Sequence, residues 1–322
     1  MKEKRISVVI PTYNRQVLLL ECLQALQRQI LGKCDFEVIV VHDGPYLNNN
    51  LSELSGRDFG YRLYLKHTDV KKGPAAARNL GWLHARHALV AFTDDDCLPD
   101  EGWLAQLLAA YNLEDKIAFS GQTKVPLPTD PSDFERNTAG LETAEFITAN
   151  CACTKQALIE VGGFDERFGL AWREDSDLEF KLIQSEIPIR KISTALVVHP
   201  ARAASWGISL KEQKKGLYDV LLFKKYPQLY RERAHNPIWN YYLVISLTLL
   251  MVGSAMAGSE LFTKICALLL LFLLGSFFYK RIKTTRKSAS HITEMLITSM
   301  LIPFLSVFWR GYGMLKYKKI LL

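Results

Sequence analysis

Ile6-Ser7-Val8-Val9-Ile10 and Phe36-Glu37-Val38-Ile39-Val40-Val41 are short β-branched runs, and the residues between them change period. From Gln16 to Gln29 the chain places Leu19, Leu20, Leu23 and Leu26 at helical spacing, with Ile30 just beyond. Strand, helix and strand in close succession make a βαβ unit, and such a unit commits the chain to parallel pairing. The alternation continues: Arg62 to Lys66 reads as a strand and Pro74 to His87 as a helix with Pro74 in its first turn. Ala88 to Thr93 reads as a buried strand, Trp103 to Tyr111 as a helix, and Ile117 to Val125 as a strand. Farther on, Lys155 to Val161 and Arg173 to Gln184 read as helices, with Gly162-Gly163 stopping the first, and Ile189 to His199 closes the sheet. The expected fold class is α/β, a Rossmann-like, mostly parallel sheet with helices on both faces, followed by C-terminal transmembrane and amphipathic helices. Pro126 to Thr148 has no period, and a loop of that length in a compact domain is usually functional.

Charge divides the chain. Residues 1–200 hold 22 Lys and Arg against 28 Asp and Glu, while the remainder holds 18 against 5. The acidic part suits a metal and the basic part an anionic surface. Hydropathy selects lipid over nucleic acid for the second. Ile238 to Ala257 carries no charge, and Leu261 to Tyr279 carries only Lys264, close enough to an end to snorkel. With Gly258-Ser259-Glu260 between them they read as a transmembrane hairpin; Leu268 to Leu274 has no polar face, which argues against two soluble core helices. Lys280, Arg281, Lys283, Arg286 and Lys287 follow the second span, and Lys224, Lys225, Arg231 and Arg233 precede the first, so both flanks are expected in the cytoplasm. A third apolar segment, 292–309, contains Glu294 and Pro303 and is expected to be interfacial or re-entrant, with a true span as the alternative. Met1 to Arg5 runs directly into the first strand, so no signal peptide is expected. Six cysteines without zinc spacing read as reduced and structural.

Candidate chemistry sits where a doubly wound sheet gathers its loops, at the carboxyl ends of strands. Ala91-Phe92-Thr93-Asp94-Asp95-Asp96-Cys97-Leu98-Pro99 ends an apolar run in three carboxylates, which repel unless a cation sits among them. Oxygen-rich clusters of this kind suit Mg²⁺ or Mn²⁺ bound together with a substrate phosphate. The alternative is a solvated acidic turn capping the helix near Trp103. Pro11-Thr12-Tyr13-Asn14-Arg15 follows the first strand, His42-Asp43-Gly44-Pro45 the second, and Glu174-Asp175-Ser176-Asp177 opens a helix. By spacing, Asp175 shares a face with Leu178 and Leu182, whereas Glu174 and Asp177 fall off it, Asp177 within reach of Lys181.

Read in order over residues 5–200, these segments resemble family 2 glycosyltransferases of the GT-A fold, which transfer a sugar from a nucleotide diphosphate donor with inversion. The resemblance implies that Pro11, Thr12, Tyr13, Arg15 and Asp43 hold the nucleoside, Asp43 at the base edge. Gly73-Pro74-Ala75-Ala76-Ala77-Arg78-Asn79 matches the small-residue helix start along the donor, with Arg78 as a fixed charge. Asp94 is implied near the ribose, Asp95 at the variable middle position, and Asp96 on the metal with His199. Asp175 matches the base, and Trp172, Glu174 and the Phe164-Asp165-Glu166 segment fit the acceptor side. His42 and Pro45 depart from the family, which often has an acid and a serine there. Arg202-Ala203-Ala204-Ser205-Trp206 stands where processive synthases carry Gln-x-x-Arg-Trp, so a single transfer per encounter is expected. The implied organisation is a catalytic domain at 1–205, a basic amphipathic interfacial linker at 206–236 and a membrane region at 237–322. The implied partners are a nucleotide-sugar donor, UDP-linked first, a lipid-linked or membrane-associated acceptor, and membrane lipids, with no nucleic acid. The implied place is a bacterial inner membrane, catalytic domain on the cytoplasmic side. The rival readings are a nucleotidyltransferase of similar fold and an inactive membrane scaffold.

Overall fold

The computed structural model describes residues 4–31, 36–45, 54 and 56–321. Cys34 and the first three residues, on which the leader-peptide expectation partly rests, lie outside them. The chain divides into two compact units, one running to Pro126 and resuming over Ala139–Pro200, the other formed by Leu127–Thr138 with Ala201–Leu322.

The first unit is a sheet of eight described strands: β1 (Ile6–Thr12), β2 (Phe36–His42), β3 (Arg62–His67), β4 (Leu89–Phe92), β5 (Leu98–Pro99), β6 (Ala118–Lys124), β7 (Cys151–Thr154) and β8 (Ile189–Val198), in the order β3-β2-β1-β4-β7-β6-β8-β5. β3, β2, β1 and β4 are parallel, as the βαβ reading requires. The expectation of a mostly parallel sheet missed two reversals, because β7 runs antiparallel between β4 and β6 and β5 antiparallel to β8. Every residue of β1, β2 and β4 is buried, the mark of central strands covered on both faces. Alternation sorts the side chains. Val8, Ile10, Val38 and Val40 pack with Leu19, Leu23 and Leu26 of helix α1 (Gln16–Gln27) and with Trp103, Leu104 and Leu107 of α3 (Trp103–Ala110). Val9, Ile39 and Val41 pack on the opposite face with Ala75, Ala77 and Trp82 of α2 (Pro74–His84). That face also takes Leu158 of α5 (Lys155–Val161) and Leu178 and Leu182 of α6 (Glu174–Gln184).

β6 and β8 slip register between Gly121 and Gln122. The fully buried Asn150 holds the bulge, donating to Gln122 O at 2.8 Å and Ala195 O at 2.9 Å and accepting from Trp103 Nε1 at 2.8 Å. A Cβ on Gly121 would lie 2.2 Å from Asn150 Oδ1, so the bulge needs glycine.

The second unit is helical. Leu127–Thr138, expected as part of a long functional loop, contributes α4 (Asp133–Thr138), and Asp133 Oδ2 accepts from Arg281 Nη2 at 2.7 Å while Glu135 pairs with Arg286 at 3.1 Å. α7 (Ile208–Glu212) leads to α8 (Gly216–Lys225), which buries every residue from Leu217 to Phe223. Within the segment expected as a surface amphipathic linker, this buried stretch packs on α11 (Ala289–Tyr317), where Gly313 admits the Leu217 backbone. α9 (Trp239–Met256) and α10 (Glu260–Ile282) form the hairpin. Among the described residues α9, α10 and α11 are each long and apolar enough to cross a membrane. The third apolar segment lies within one unbroken helix rather than a re-entrant turn, with Pro303 accommodated inside it. Leu249, Leu261, Leu268, Leu271 and Phe272 are exposed, as lipid-facing side chains are.

Candidate active site

The carboxyl ends of β1, β2 and β4 release three loops side by side, and the three adjacent aspartates turn in three directions. Asp94 Oδ1 accepts from Arg78 Nη2 at 2.6 Å. Asp95 points back at the β1 loop, accepting from Thr12 Oγ1 at 2.7 Å and from Arg15 Nη1 at 3.0 Å. Asp96 faces His199, just past β8, with Nε2 3.5 Å from Oδ1, and Arg15 stands 3.8 Å away. Burial pushes the Asp95 carboxyl above its ordinary range, opposed by Arg15 and the Thr12 hydrogen bond.

Asp94, Asp96, Cys97 and His199 each offer one ligand atom, all within 4.8 Å of one another. The donor set fits a hard divalent cation: two carboxylates and an imidazole whose buried Nδ1 has no hydrogen-bond partner. The Cys97 thiol is held well above its ordinary value, by burial first and then by Asp94 and Asp96, which leaves the oxygens and His199 as the natural ligands. Cys97 was not singled out in the sequence; its place directly after the acids was the available signal.

Asp43, expected at the base edge, is held by two backbone amides. Its Oδ1 accepts from Lys72 N at 2.8 Å and its Oδ2 from Gly73 N at 2.8 Å, so the carboxylate ties β2 to the entrance of α2. Gly73 has φ +106°, and a Cβ there would lie 2.6 Å from Gly169 O, so this loop is pressed against the 165–173 segment. Next to it Tyr13, partly exposed, stacks on His42 at 5.7 Å with Lys71 Nζ 3.5 Å from its ring centre. His42 Nδ1 lies 2.7 Å from Gly44 O, and a carbonyl only accepts, so this nitrogen carries the proton. Asn14, in the same loop, has φ +52°.

Arg78, 2% exposed, joins Asp94 to α6: Nη1 donates to Glu174 Oε1 at 3.1 Å. The expected helix face is corrected here. Leu178 and Leu182 point inward, yet Glu174 and Asp177 are buried and Asp175 only half-buried. The buried stripe runs through residues 174, 178 and 182, and Arg78 compensates the charge that spacing alone would have kept outside. Asp177 does pair with Lys181, at 3.4 Å. Glu174, expected on the acceptor side, lies within this interior pair instead. Asp175 Oδ1 accepts from Ser176 N at 2.7 Å. Burial raises both carboxyls above their ordinary range; Asp175 pushes Glu174 further, while Arg78 pulls both down and Arg173 also lowers Asp175. Arg173 has φ +73°, and its guanidinium lies 4.9 Å over the ring of Trp172, which is 38% exposed. Backbone strain of this kind in two site loops, at Asn14 and Arg173, is a feature of functional segments. Asn79, whose role sequence reasoning missed, donates to Phe164 O at 2.9 Å and accepts from Phe164 N at 2.9 Å, anchoring the segment that leads toward α6.

Residues 7–164 match the sequence family described as Glycosyl transferase family 2. The pre-mycofactocin glycosyltransferase of Mycobacterium tuberculosis is 30% identical over 213 residues, covering 61% of this chain and 43% of the relative. The chondroitin synthase of Escherichia coli is 26% identical over 275 residues, covering 71% of this chain and 39% of the relative. The chain thus spans about two fifths of these proteins. Among solved structures, a mannosyltransferase of Pyrobaculum calidifontis in complex with GDP-Man and Mn²⁺ superposes with a TM-score of 0.56 at 19% identity, covering 93% of this chain and 87% of that one. The architecture is that of the GT-A fold.

Proposed function

Taking residues 7–164 as a glycosyl transferase family 2 domain, we propose that the protein moves one sugar from a nucleoside diphosphate donor, UDP-linked in the first instance, to a membrane-associated or lipid-linked acceptor, with inversion and one transfer per encounter. The observation that carries the reading is the pairing of a cation-ready cluster at Asp94, Asp96 and His199 with a raised carboxylate at Asp175, joined through Arg78 and Glu174.

Asp96 and His199, with Asp94 beside them, would hold the divalent cation, Mn²⁺ or Mg²⁺. When bound, the ion neutralises charge developing on the departing diphosphate. Tyr13, Thr12 and Arg15 line the nucleoside side of the same rim, and Asp43 shapes it by fixing the loop at Lys72 and Gly73. Asp175 takes the proton from the acceptor hydroxyl; burial raises its affinity for that proton toward working pH, which suits a general base. Trp172 offers an exposed aromatic face to the acceptor sugar. The apolar helices in the same chain are what support a membrane acceptor, and the Lys and Arg flanking the hairpin support a cytoplasmic catalytic domain at an inner membrane.

The test is a panel of labelled UDP- and GDP-sugars with total membrane lipid, with and without EDTA. The expected result is transfer abolished by EDTA and reduced by about 100-fold or more in Asp96→Asn and in Asp175→Asn. Transfer that survives EDTA, or an Asp175→Asn protein with native turnover, overturns the reading.

A further inference from the structure

Arg78 occupies an unusual position for a residue expected merely to lend positive charge to a phosphate. It is almost wholly buried in the second turn of α2, and its guanidinium fork is already divided between two acids from different parts of the chain. One amino group faces Asp94 at the carboxyl end of β4, at 2.6 Å; the other faces Glu174, the first residue of α6, at 3.1 Å. The ring of Phe164 lies 5.8 Å from the guanidinium carbon. Glu174 Oε2 and Arg78 Nε are both buried without a hydrogen-bond partner, so the side-chain pairing between the two residues runs through Nη1 and Oε1. A guanidinium cannot shed its proton in a protein, and a buried one holds its carboxylates firmly because leaving either side unpaired is costly.

We propose that Arg78 and Glu174 form a positioning strut: by gripping Asp94 and the first residue of α6 together, the pair fixes the distance between the donor-side rim and Asp175, the next residue along. Glu174 is thereby a positioning residue, acting through Arg78 and touching no substrate. The strut rests on the reading of Asp175 as the base. Its chemistry requires a planar fork with two separate donors. A lysine at 78 brings one compact ammonium, which cannot satisfy both acids at their present spacing. A glutamine at 174 keeps an acceptor oxygen for Nη1, whereas an alanine removes it. Displacing a reacting group by about 1 Å costs on the order of 100-fold in rate, and this loss falls on turnover rather than on donor binding.

The experiment uses the full chain in detergent micelles. UDP with Mn²⁺ is titrated by calorimetry as the binding probe, and kcat and KM are measured for nucleoside diphosphate release from a panel of UDP- and GDP-sugars with total membrane lipid supplied as acceptor. Glu174→Ala and Arg78→Lys are expected to lose on the order of 100-fold in kcat, with donor KM and the UDP–Mn²⁺ Kd held within about threefold. Glu174→Gln is expected to recover most of that loss, about tenfold or more over Glu174→Ala. The strut is overturned if Glu174→Ala keeps native kcat, if Gln is no better than Ala, or if UDP–Mn²⁺ binding falls in step with kcat, the sign of a merely structural role. Asp175→Asn separates the two ideas. Native turnover in Asp175→Asn refutes the base reading and the strut with it, as does absence of release from every donor in the wild type. Lost turnover there, with Glu174→Ala unaffected, refutes the strut alone.

Discussion

Asp95, the acid expected to be the interchangeable middle of its triplet, gives the most decisive test of how the site is built. Removing its side chain by Asp95→Ala strands the hydroxyl of Thr12, itself 4% exposed, and releases Arg15. A hydrogen bond from a buried hydroxyl to a carboxylate contributes about 1.5 to 3 kcal/mol. The Arg15 contact adds at most about 1 kcal/mol, because its guanidinium side is 40% exposed and solvent-screened. Removing the carboxylate also relieves the burial that raises its pKa, so the net loss is expected near 2 to 3 kcal/mol. For a unit of this size that corresponds to a fall of about 5–10 °C in Tm. Asp95→Asn keeps an oxygen for Thr12 and sheds the buried charge, so it is expected to cost less than about 1 kcal/mol. The assay is thermal and urea unfolding of the full chain in detergent, with Thr12→Val and the double variant Thr12→Val/Asp95→Ala closing a cycle. A coupling of about 1 to 2 kcal/mol is expected. Equal losses for Ala and Asn, or additivity of Thr12→Val with Asp95→Ala, refute the claim that Asp95 locks the β1 loop through this hydrogen bond.

Three further outcomes follow from the geometry. Asp95, Glu174 and Asp175 all have folded pKa values raised chiefly by burial, so the folded chain binds protons more tightly than the unfolded one; the stability they contribute is full below the unfolded value of about 4 and is lost as pH rises through the raised values. Without metal, Tm should therefore fall as pH rises from about 4 through the Glu174 value, pushed up to about 7, with a flatter profile in Glu174→Gln, and an unchanged slope in that variant contradicts the assignment. Gly73→Ala forces a Cβ to 2.6 Å from Gly169 O at a backbone angle hostile to it, and should cost about 2 kcal/mol or more in urea unfolding while weakening UDP–Mn²⁺ binding. Arg281→Ala leaves the Asp133 carboxylate without its cation, a loss of about 3 to 5 kcal/mol within the helical unit, read as protease cleavage appearing within Leu127–Thr138.

What could be read from the chain was what local periodicity encodes. β1, α1, β2, α2 and β4 announce themselves because each repeats its own period over enough residues to be recognised, and the structure places them within a few residues of their expected bounds. β7 does not, since Cys151-Ala152-Cys153-Thr154 has little strand character of its own and becomes a strand because β4 and β6 offer their edges to it. The two-residue β5 is likewise a product of β8. Leu127–Thr138 read as a loop because what organises it, Arg281, is 148 residues away from Asp133. The basic residues around α8 suggested a surface helix, yet its consecutive buried run packs on α11, a partner no local pattern names.

The acid triplet shows where such reading stops. Three identical residues in a row carry no internal clue to their separate fates, because those are assigned by elements that arrive from elsewhere: α2 brings Arg78 to Asp94, the β1 loop brings Thr12 and Arg15 to Asp95, and β8 brings His199 to Asp96. Mutual repulsion among the three is thereby relieved unequally. Asp94 and Asp95 each hold a guanidinium at hydrogen-bond distance, a charge that cannot titrate away. Asp96 has Arg15 at 3.8 Å and the imidazole of His199 at 3.5 Å. His199, which stands beside Asp96, keeps a buried Nδ1 that makes no hydrogen bond. A divalent cation would suit the cluster in which Asp94 and Asp96 meet that imidazole within 4.8 Å, while the Arg15 and Thr12 contacts hold Asp95 to the β1 loop.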